Sequence, residues 1–359
     1  MTKQQKIENF DPSQPGLADA TVFGLPFTAE ESEIIVVPVP WEVTVSYGAG
    51  ASEGPAAILD ASFQVDLLHQ DFPELWKLGI YMDEAPSHWA KNSAKYKDLA
   101  QPIIEALENG EDVATFPVLQ SDLDKINKVC RDLHSEVKER IQFWLDKGKK
   151  VVLLGGDHST PLGYYEALAA QYTDFGILHL DAHMDLRIAY EGFTYSHASI
   201  MYNTLQLPQV SKIVQVGIRD FCEQEVDVVK KSNGRVKVYT DSDLKKEQFE
   251  GKTWKQQCEE IIAQLPQKVC ISFDIDGMYP WYCPNTGTPV PGGFAFEQAT
   301  YLFNLLANSG KEIIGFDLVE VAPGEHDDWD GNVGARMLFH MCGVLAKSNR
   351  MNVGQRIEF

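Results

Sequence analysis

Short, unbroken apolar runs recur along the chain. They are Ile34-Ile35-Val36-Val37, Val151–Leu154, Gly176–Leu180, Ile213–Gly217, Arg235–Tyr239, Val269–Phe273 and Ile313–Phe316. Most lack polar alternation and are rich in β-branched residues, which predicts parallel strands covered on both faces. The first run is stopped by Pro38 and Pro40. Helical spacing lies between the runs. Leu133, Val137, Ile141 and Leu145 recur every fourth residue, and Leu338, Met341, Cys342 and Leu345 follow the i, i+3, i+4, i+7 stripe. Residues 254–264 and 295–308 also read as helices. This alternation predicts one three-layer α/β/α domain around a mostly parallel central sheet. Residues 1–30 are mostly polar and carry Pro12, Pro15, Pro26, Gly16 and Gly24, so they read as a loose N-terminal arm ahead of a domain spanning 31–359. The stretch 70–130 is rich in Asp, Glu, Lys and Pro, and reads as a surface insertion of loops with one or two helices.

Composition supports a packed chain: 44% of the 359 residues are hydrophobic and 23% charged. Thirty-one basic against 52 acidic residues leave a net charge of −21. Such a surface repels phosphate backbones and anionic lipid, so neither nucleic acid nor membrane is expected as a partner, while a cationic small molecule is favoured. No stretch reaches the ~18 apolar residues of a membrane span. The N-terminus has no apolar segment after its lysines, so no secretory signal is expected. The six cysteines, at 130, 222, 258, 270, 283 and 342, form no C-x-x-C pair. They read as reduced packing thiols, which suits a cytoplasmic protein.

The candidate chemistry sits where the runs end. Val151–Leu154 leads into Gly155-Gly156-Asp157-His158-Ser159, Gly176–Leu180 into Asp181-Ala182-His183-Met184-Asp185, and Val269–Phe273 into Asp274-Ile275-Asp276. Ligands of open parallel sheets bind beyond the carboxyl ends of the strands, so these three ends should open on one edge. Any one alone could be a capped turn or a solvated loop. Together they place His158, Asp181, His183, Asp185, Asp274 and Asp276 near one another. Buried carboxylates in that number are costly unless they bind cations. Two imidazoles and four carboxylates exceed the four ligands of a structural zinc. They suit two divalent ions sharing carboxylates and a water, with Mn²⁺ favoured by the oxygen-rich set.

These motifs resemble the ureohydrolases of the arginase–agmatinase family. The resemblance is carried by GGDHS at 155–159, DAHMD at 181–185, SFDID at 272–276 and GFDLVEVAP at 315–323, and runs from about Pro38 to about Leu345. It implies the three-layer arginase-like fold, two Mn²⁺ per subunit, hydrolysis of a guanidinium to urea and an amine, and a trimer or hexamer. By position, His158, Asp181, Asp185 and Asp274 would hold one ion, and Asp181, His183, Asp274 and Asp276 the other. His197 would shuttle a proton to the leaving amine, Asp276 would bond the tetrahedral centre, and Glu320 would orient the guanidinium. Residues 185–201 look like agmatinases and lack the Thr/Ser/Asn-rich segment of arginases, so agmatine is the expected substrate. A smaller guanidino compound is the rival reading: free guanidine, guanidinobutyrate or guanidinopropionate. Guanidine-hydrolysing members use nickel, so Ni²⁺ is the rival metal. Formimidoylglutamate and arginine rank lower. A non-catalytic regulatory homologue is disfavoured by the intact ligands. Trp41, Tyr47 and residues 325–332 are expected to line the mouth. Tyr279 departs from the family, which usually has Asp there.

Overall fold

A computed structural model of the chain describes residues 1–14, 16 and 20–359. Its eight strands are β1 Ile34–Val39, β2 Ile80–Met82, β3 Lys150–Gly155, β4 Phe175–Leu180, β5 Val210–Ile218, β6 Val236–Thr240, β7 Lys268–Asp274 and β8 Glu312–Val319. They form one sheet in the order β2-β1-β3-β8-β7-β4-β5-β6, and every pairing is parallel. Seven of these strands coincide with the seven apolar runs, β6 beginning one residue after Arg235. The eighth, β2, is three residues long and lies inside the stretch read as surface loops. Three residues are too few to show a period.

Successive strand residues point to opposite faces, and the core divides accordingly. Ile34, Val36, Val152 and Leu154 belong to one buried cluster, together with the helices Gly54–Ser62, Phe296–Asn308 and Trp329–Ser348. Ile35, Val37, Val151 and Leu153 belong to the other, under the helices Ser87–Glu108, Pro117–Asp146 and Leu162–Gln171. The layers are thus helix, sheet, helix.

Residues 70–130 carry two helices, as expected, but these take up more of the stretch than the loops do: Ser87–Glu108 is a helix, and the next helix begins at Pro117. The first of these contains Pro102, which reads as a breaker in sequence. Its buried stripe includes Ser93, Ala100 and Ala106, which carry little hydrophobic signal. The N-terminal segment is not loose throughout. Lys3–Asn9 is a helix with a Thr2–Gln5 capping box, and Val22, Phe23, Leu25 and Phe27 are buried in the core. Pro15 and residues 17–19 lie outside the described residues.

The helices Pro117–Asp146 and Leu162–Gln171 approach closely at Gly163. A Cβ there would stand 2.2 Å from His134 O and 3.0 Å from Val137 Cβ. Alanine is ordinarily the better helix former by ~1 kcal/mol. Here the neighbour is backbone and cannot swing away, so overpacking wins. Gly163→Ala should lose ~1–3 kcal/mol in urea unfolding. An unchanged or raised midpoint would show that the helices can part without cost.

Candidate metal centre

Four adjacent strands at the middle of the sheet deliver the chemistry. β3, β8, β7 and β4 are neighbours in that order, and their carboxyl ends carry His158, Glu320, Asp274 with Asp276, and Asp181 with His183 and Asp185. The DAHMD loop is fixed by its surroundings. Arg219 N and Asp220 N donate to Ala182 O at 2.8 and 3.0 Å, and Met201 N and Tyr202 N donate to Asp185 O at 3.0 and 3.1 Å. Asp185 itself has φ 54°, and Glu320 has φ 63°. Both are left-handed conformations that cost a non-glycine residue about 1–3 kcal/mol, and such strain collects at working sites.

Two groups of ligand atoms converge. His158 Nδ1 stands 3.0 Å from Asp181 Oδ2, 3.0 Å from Asp185 Oδ2 and 3.1 Å from Asp274 Oδ2. His183 Nδ1 stands 3.0 Å from Asp276 Oδ2 and 3.4 Å from Asp181 Oδ1. Asp181 belongs to both groups. Asp274 joins the second only indirectly, its Oδ1 accepting Asp276 N at 2.9 Å. Asp276 Oδ1 accepts Ala182 N at 3.0 Å, and its Oδ2 is 3.3 Å from Thr288 Oγ1. The four carboxylates and His158 are at most 5% exposed, whereas the His183 side chain is 24% exposed. The cluster therefore opens to solvent on the His183 side.

Hydrogen-bond direction tests whether a cation fits. Asp317 on β8 accepts Ser272 Oγ at 2.8 Å and Tyr165 OH at 2.6 Å. Burial raises Asp317 only to about 6, so it is chiefly ionised at pH 7 and accepts. Ser272 spends its proton on Asp317, so its oxygen must accept from His158 Nε2, 3.0 Å away. The His158 proton then sits on Nε2, leaving Nδ1 as a bare lone pair. That lone pair has no hydrogen-bond partner and faces three carboxylate oxygens. Four acceptors around one point repel unless a cation lies between them. Among the described residues no Lys or Arg nitrogen is within 4.0 Å of these carboxylates. The donor set fits a metal.

The electrostatics show the same strain. Burial, with repulsion from Asp181, raises Asp185 to about 7. Burial and repulsion by Asp276 and Asp181 push Asp274 well above its ordinary range. Burial would raise Asp181 too, but His179, which bonds Asp181 Oδ2 at 2.8 Å, chiefly holds it well below.

Glu320 stands beside this cluster. Its Oε1 accepts His158 N at 2.7 Å, and Thr286 Oγ1 donates to its carbonyl at 2.7 Å. Burial and the nearby Asp157 carboxylate push it well above the usual range. Asp157 is itself raised by burial to about 7, and its Oδ2 has no partner. No Lys or Arg pairs with Glu320 among the described residues. His197 is half-buried, and its Nδ1 is sealed and without a partner. Burial, with His183 and His158 nearby, lowers it to about 4.

One expectation fails at the mouth. Trp41 is 1% exposed, and its carbonyl accepts Asp157 N at 2.9 Å; it supports the GGDHS turn from behind. Tyr47 is exposed, and Gly48 beside it donates to Gly287 O at 3.1 Å. Tyr279 stacks on Trp281 with ring centres 4.2 Å apart. The sequence reading missed His179, Gln215, Ser272, Asp317 and Arg219. His179 could have been found, because it lies two residues before Asp181, which is just past the strand end, and in extended chain such residues share a face.

A protein-family model described as Arginase family matches residues 32–343. The chain belongs to the arginase family. It is therefore a hydrolase of the ureohydrolase class. N(1)-aminopropylagmatine ureohydrolase from Thermus thermophilus is 30% identical to this arginase-family chain over 315 residues, covering 88% of the chain and 91% of the relative. Agmatinase from Bacillus anthracis is 29% identical, covering 83% and 87%. The crystal structure of agmatine ureohydrolase of Thermoplasma volcanium shares the fold, with a TM-score of 0.68, 24% identity, and 97% and 99% coverage. Six free cysteines and no helix suited to crossing a membrane occur among the described residues.

Proposed function

We propose that this ureohydrolase cleaves an amine-tailed guanidine, agmatine being the expected case, to urea and the corresponding amine. The observation that carries the reading is Glu320: a buried carboxylate without a cationic partner, beside a cluster of four more carboxylates. A guanidinium presents paired N–H donors to such a group. The names of the relatives, agmatinase and N(1)-aminopropylagmatine ureohydrolase, support an amine-bearing tail. The latter name also favours a second reading, in which the tail carries a further aminopropyl group.

His158, Asp181, Asp185 and Asp274 would hold one ion, and Asp181, His183 and Asp276, with Asp274, the other. Mn²⁺ suits this oxygen-rich set, with Ni²⁺ the alternative. Bound there, divalent ions lower the pKa of water so that a nucleophile is available near neutral pH. Glu320 accepts the guanidinium N–H groups and turns its central carbon toward the cluster. Asp276 accepts a hydrogen bond at the tetrahedral centre. His197, neutral at pH 7, takes up the proton released on attack and passes it to the departing amine.

The choice of tail is testable. Arg219 is engaged by the carbonyls of Gly217, Asp276 and Val290. Arg187 lies over the Tyr190 ring at 4.8 Å. Of these two arginines, Arg219 is thus spent on backbone carbonyls and Arg187 is held over a ring, and leaving an α-carboxylate unpaired costs several kcal/mol, where ~1.4 kcal/mol is already tenfold. Agmatine should therefore exceed arginine in kcat/KM by at least ~100-fold. A urea-release screen over agmatine, aminopropylagmatine, guanidinobutyrate, guanidinopropionate, guanidine and arginine, with Mn²⁺ and with Ni²⁺, checks it. Equal turnover of arginine would mean that Arg187 leaves Tyr190 to bind the carboxylate.

A further inference from the structure

One tier below the ligands, a buried polar row crosses the sheet. Gln215 of β5 is the register partner of His179 of β4, His179 of Ser272 of β7, and Ser272 of Asp317 of β8. All four are 0% exposed. Polar groups in such a place are costly without partners, and in this row only Gln215 Oε1 lacks one among the described residues. Asp317 and Ser272 orient His158. The other half of the row, Gln215 and His179, has a task of its own.

Gln215 Nε2 lies 2.6 Å from Met184 O and 3.0 Å from His179 Nδ1. A carbonyl can only accept, so the amide must turn its NH₂ toward Met184. The second hydrogen of that NH₂ then serves His179 Nδ1. Reversing the amide would set two oxygens face to face. His179 Nδ1 is therefore an acceptor and the ring proton sits on Nε2, which lies 2.8 Å from Asp181 Oδ2. The donors run from Gln215 to His179 to Asp181. The other oxygen of Asp181 accepts His183 N at 2.5 Å. Both carboxylate oxygens are thus tethered by the protein, one of them through a rigid ring tied back to the carbonyl of Met184 in the same ligand loop.

We propose that His179 is a positioning residue that acts through Asp181: held by Gln215 as the Nε2–H tautomer, it fixes the plane in which the Asp181 carboxylate is shared between two metal ions. This rests on the reading of Asp181 as a ligand. Partners that orient a ligand typically contribute 10–100-fold in metal affinity.

The test is Mn²⁺ binding by equilibrium dialysis on the full chain, with Asp181→Asn as the reference. His179→Leu should weaken Mn²⁺ binding by ~10–100-fold. His179→Gln, which restores an N–H donor at similar reach, should recover most of it, and Gln215→Leu should fall between. Wild-type affinity in folded His179→Leu, or no recovery with glutamine, overturns the proposal. If Asp181→Asn binds Mn²⁺ as the wild type does, the ligand reading itself fails. If Asp181→Asn loses metal and His179→Leu keeps it, only the role of His179 fails. Should the leucine variant not fold, ¹⁵N NMR of histidine-labelled, metal-free wild type decides. A protonated Nε2 with bare Nδ1 at His179 supports the proposal, and the reverse tautomer overturns it.

Discussion

Asp274→Ala should abolish urea release and strip the chain of most of its metal, yet leave the metal-free fold about as stable as that of the metal-free wild type. The two halves have different causes. Asp274 Oδ2 is one of the three oxygens around His158 Nδ1, so its loss removes an anionic ligand from the centre. Without metal, however, that carboxylate is a liability. Burial and repulsion by Asp276 and Asp181 already push it well above the ordinary range. Its removal relieves this repulsion and offsets the lost bond from Asp276 N at 2.9 Å, a capping interaction of about 1 kcal/mol. Metal should then stabilise the wild type alone. A ligand at 100 times its Kd adds about 2.7 kcal/mol to a fold that binds it. Thermal melts of both proteins, each with and without Mn²⁺, read all four corners. Full activity in a metal-depleted Asp274→Ala chain would remove the metal from the reaction. A variant that fails to fold even without metal would show that Asp274 holds the sheet end rather than the ion.

The framework was legible in the sequence because parallel strands buried on both faces must be written as unbroken apolar runs, and seven of them were. β2 escaped because Ile80–Met82 is too short for any pattern. The bounds of the helix Ser87–Glu108 escaped because its buried stripe mixes Ser93, Ala100 and Ala106 with Trp89, Ile103 and Ile104 and is crossed by Pro102. Val22 to Phe27 escaped for a different reason: burial in one 3₁₀ turn and the chain after it is too short to show a period. At the site, the clustered Asp and His were visible because such residues at the ends of apolar runs are chemically out of place. The residues that orient them were not. Ser272, Gln215 and Asp317 lie inside strands, where a polar residue signals only a broken run. Their meaning depends on register across four strands, which no single segment contains. Trp41 shows the opposite error. A large aromatic near a predicted strand end looked like a mouth residue and proved to be packing.

His197→Asn should cut kcat by roughly 10²–10⁴, the scale of losing a proton-transfer group, while the metal content of the chain stays at the wild-type level. Its titration sharpens the test. An unperturbed imidazole titrates near working pH. In the folded chain burial lowers His197 to about 4, with His183 and His158 adding to the shift. Bound cations push in the same direction. A lowered histidine pKa means that the neutral form is favoured in the native state. Between about 4 and the unfolded value near 6.5, the unfolded chain binds a proton that the folded one refuses. The stability tied to this residue is therefore complete above about pH 6.5 and is lost as pH falls toward 4. For the reaction, His197 cannot begin as a charged acid at pH 7. It can accept a proton and hand it on within one turnover. Its removal should lower kcat across pH 6–8 by a nearly constant factor, without a new inflection near 6.5. A loss confined to the region below pH 6.5, or a loss of metal in proportion to activity, would remove His197 from proton transfer and leave it a structural residue of the mouth.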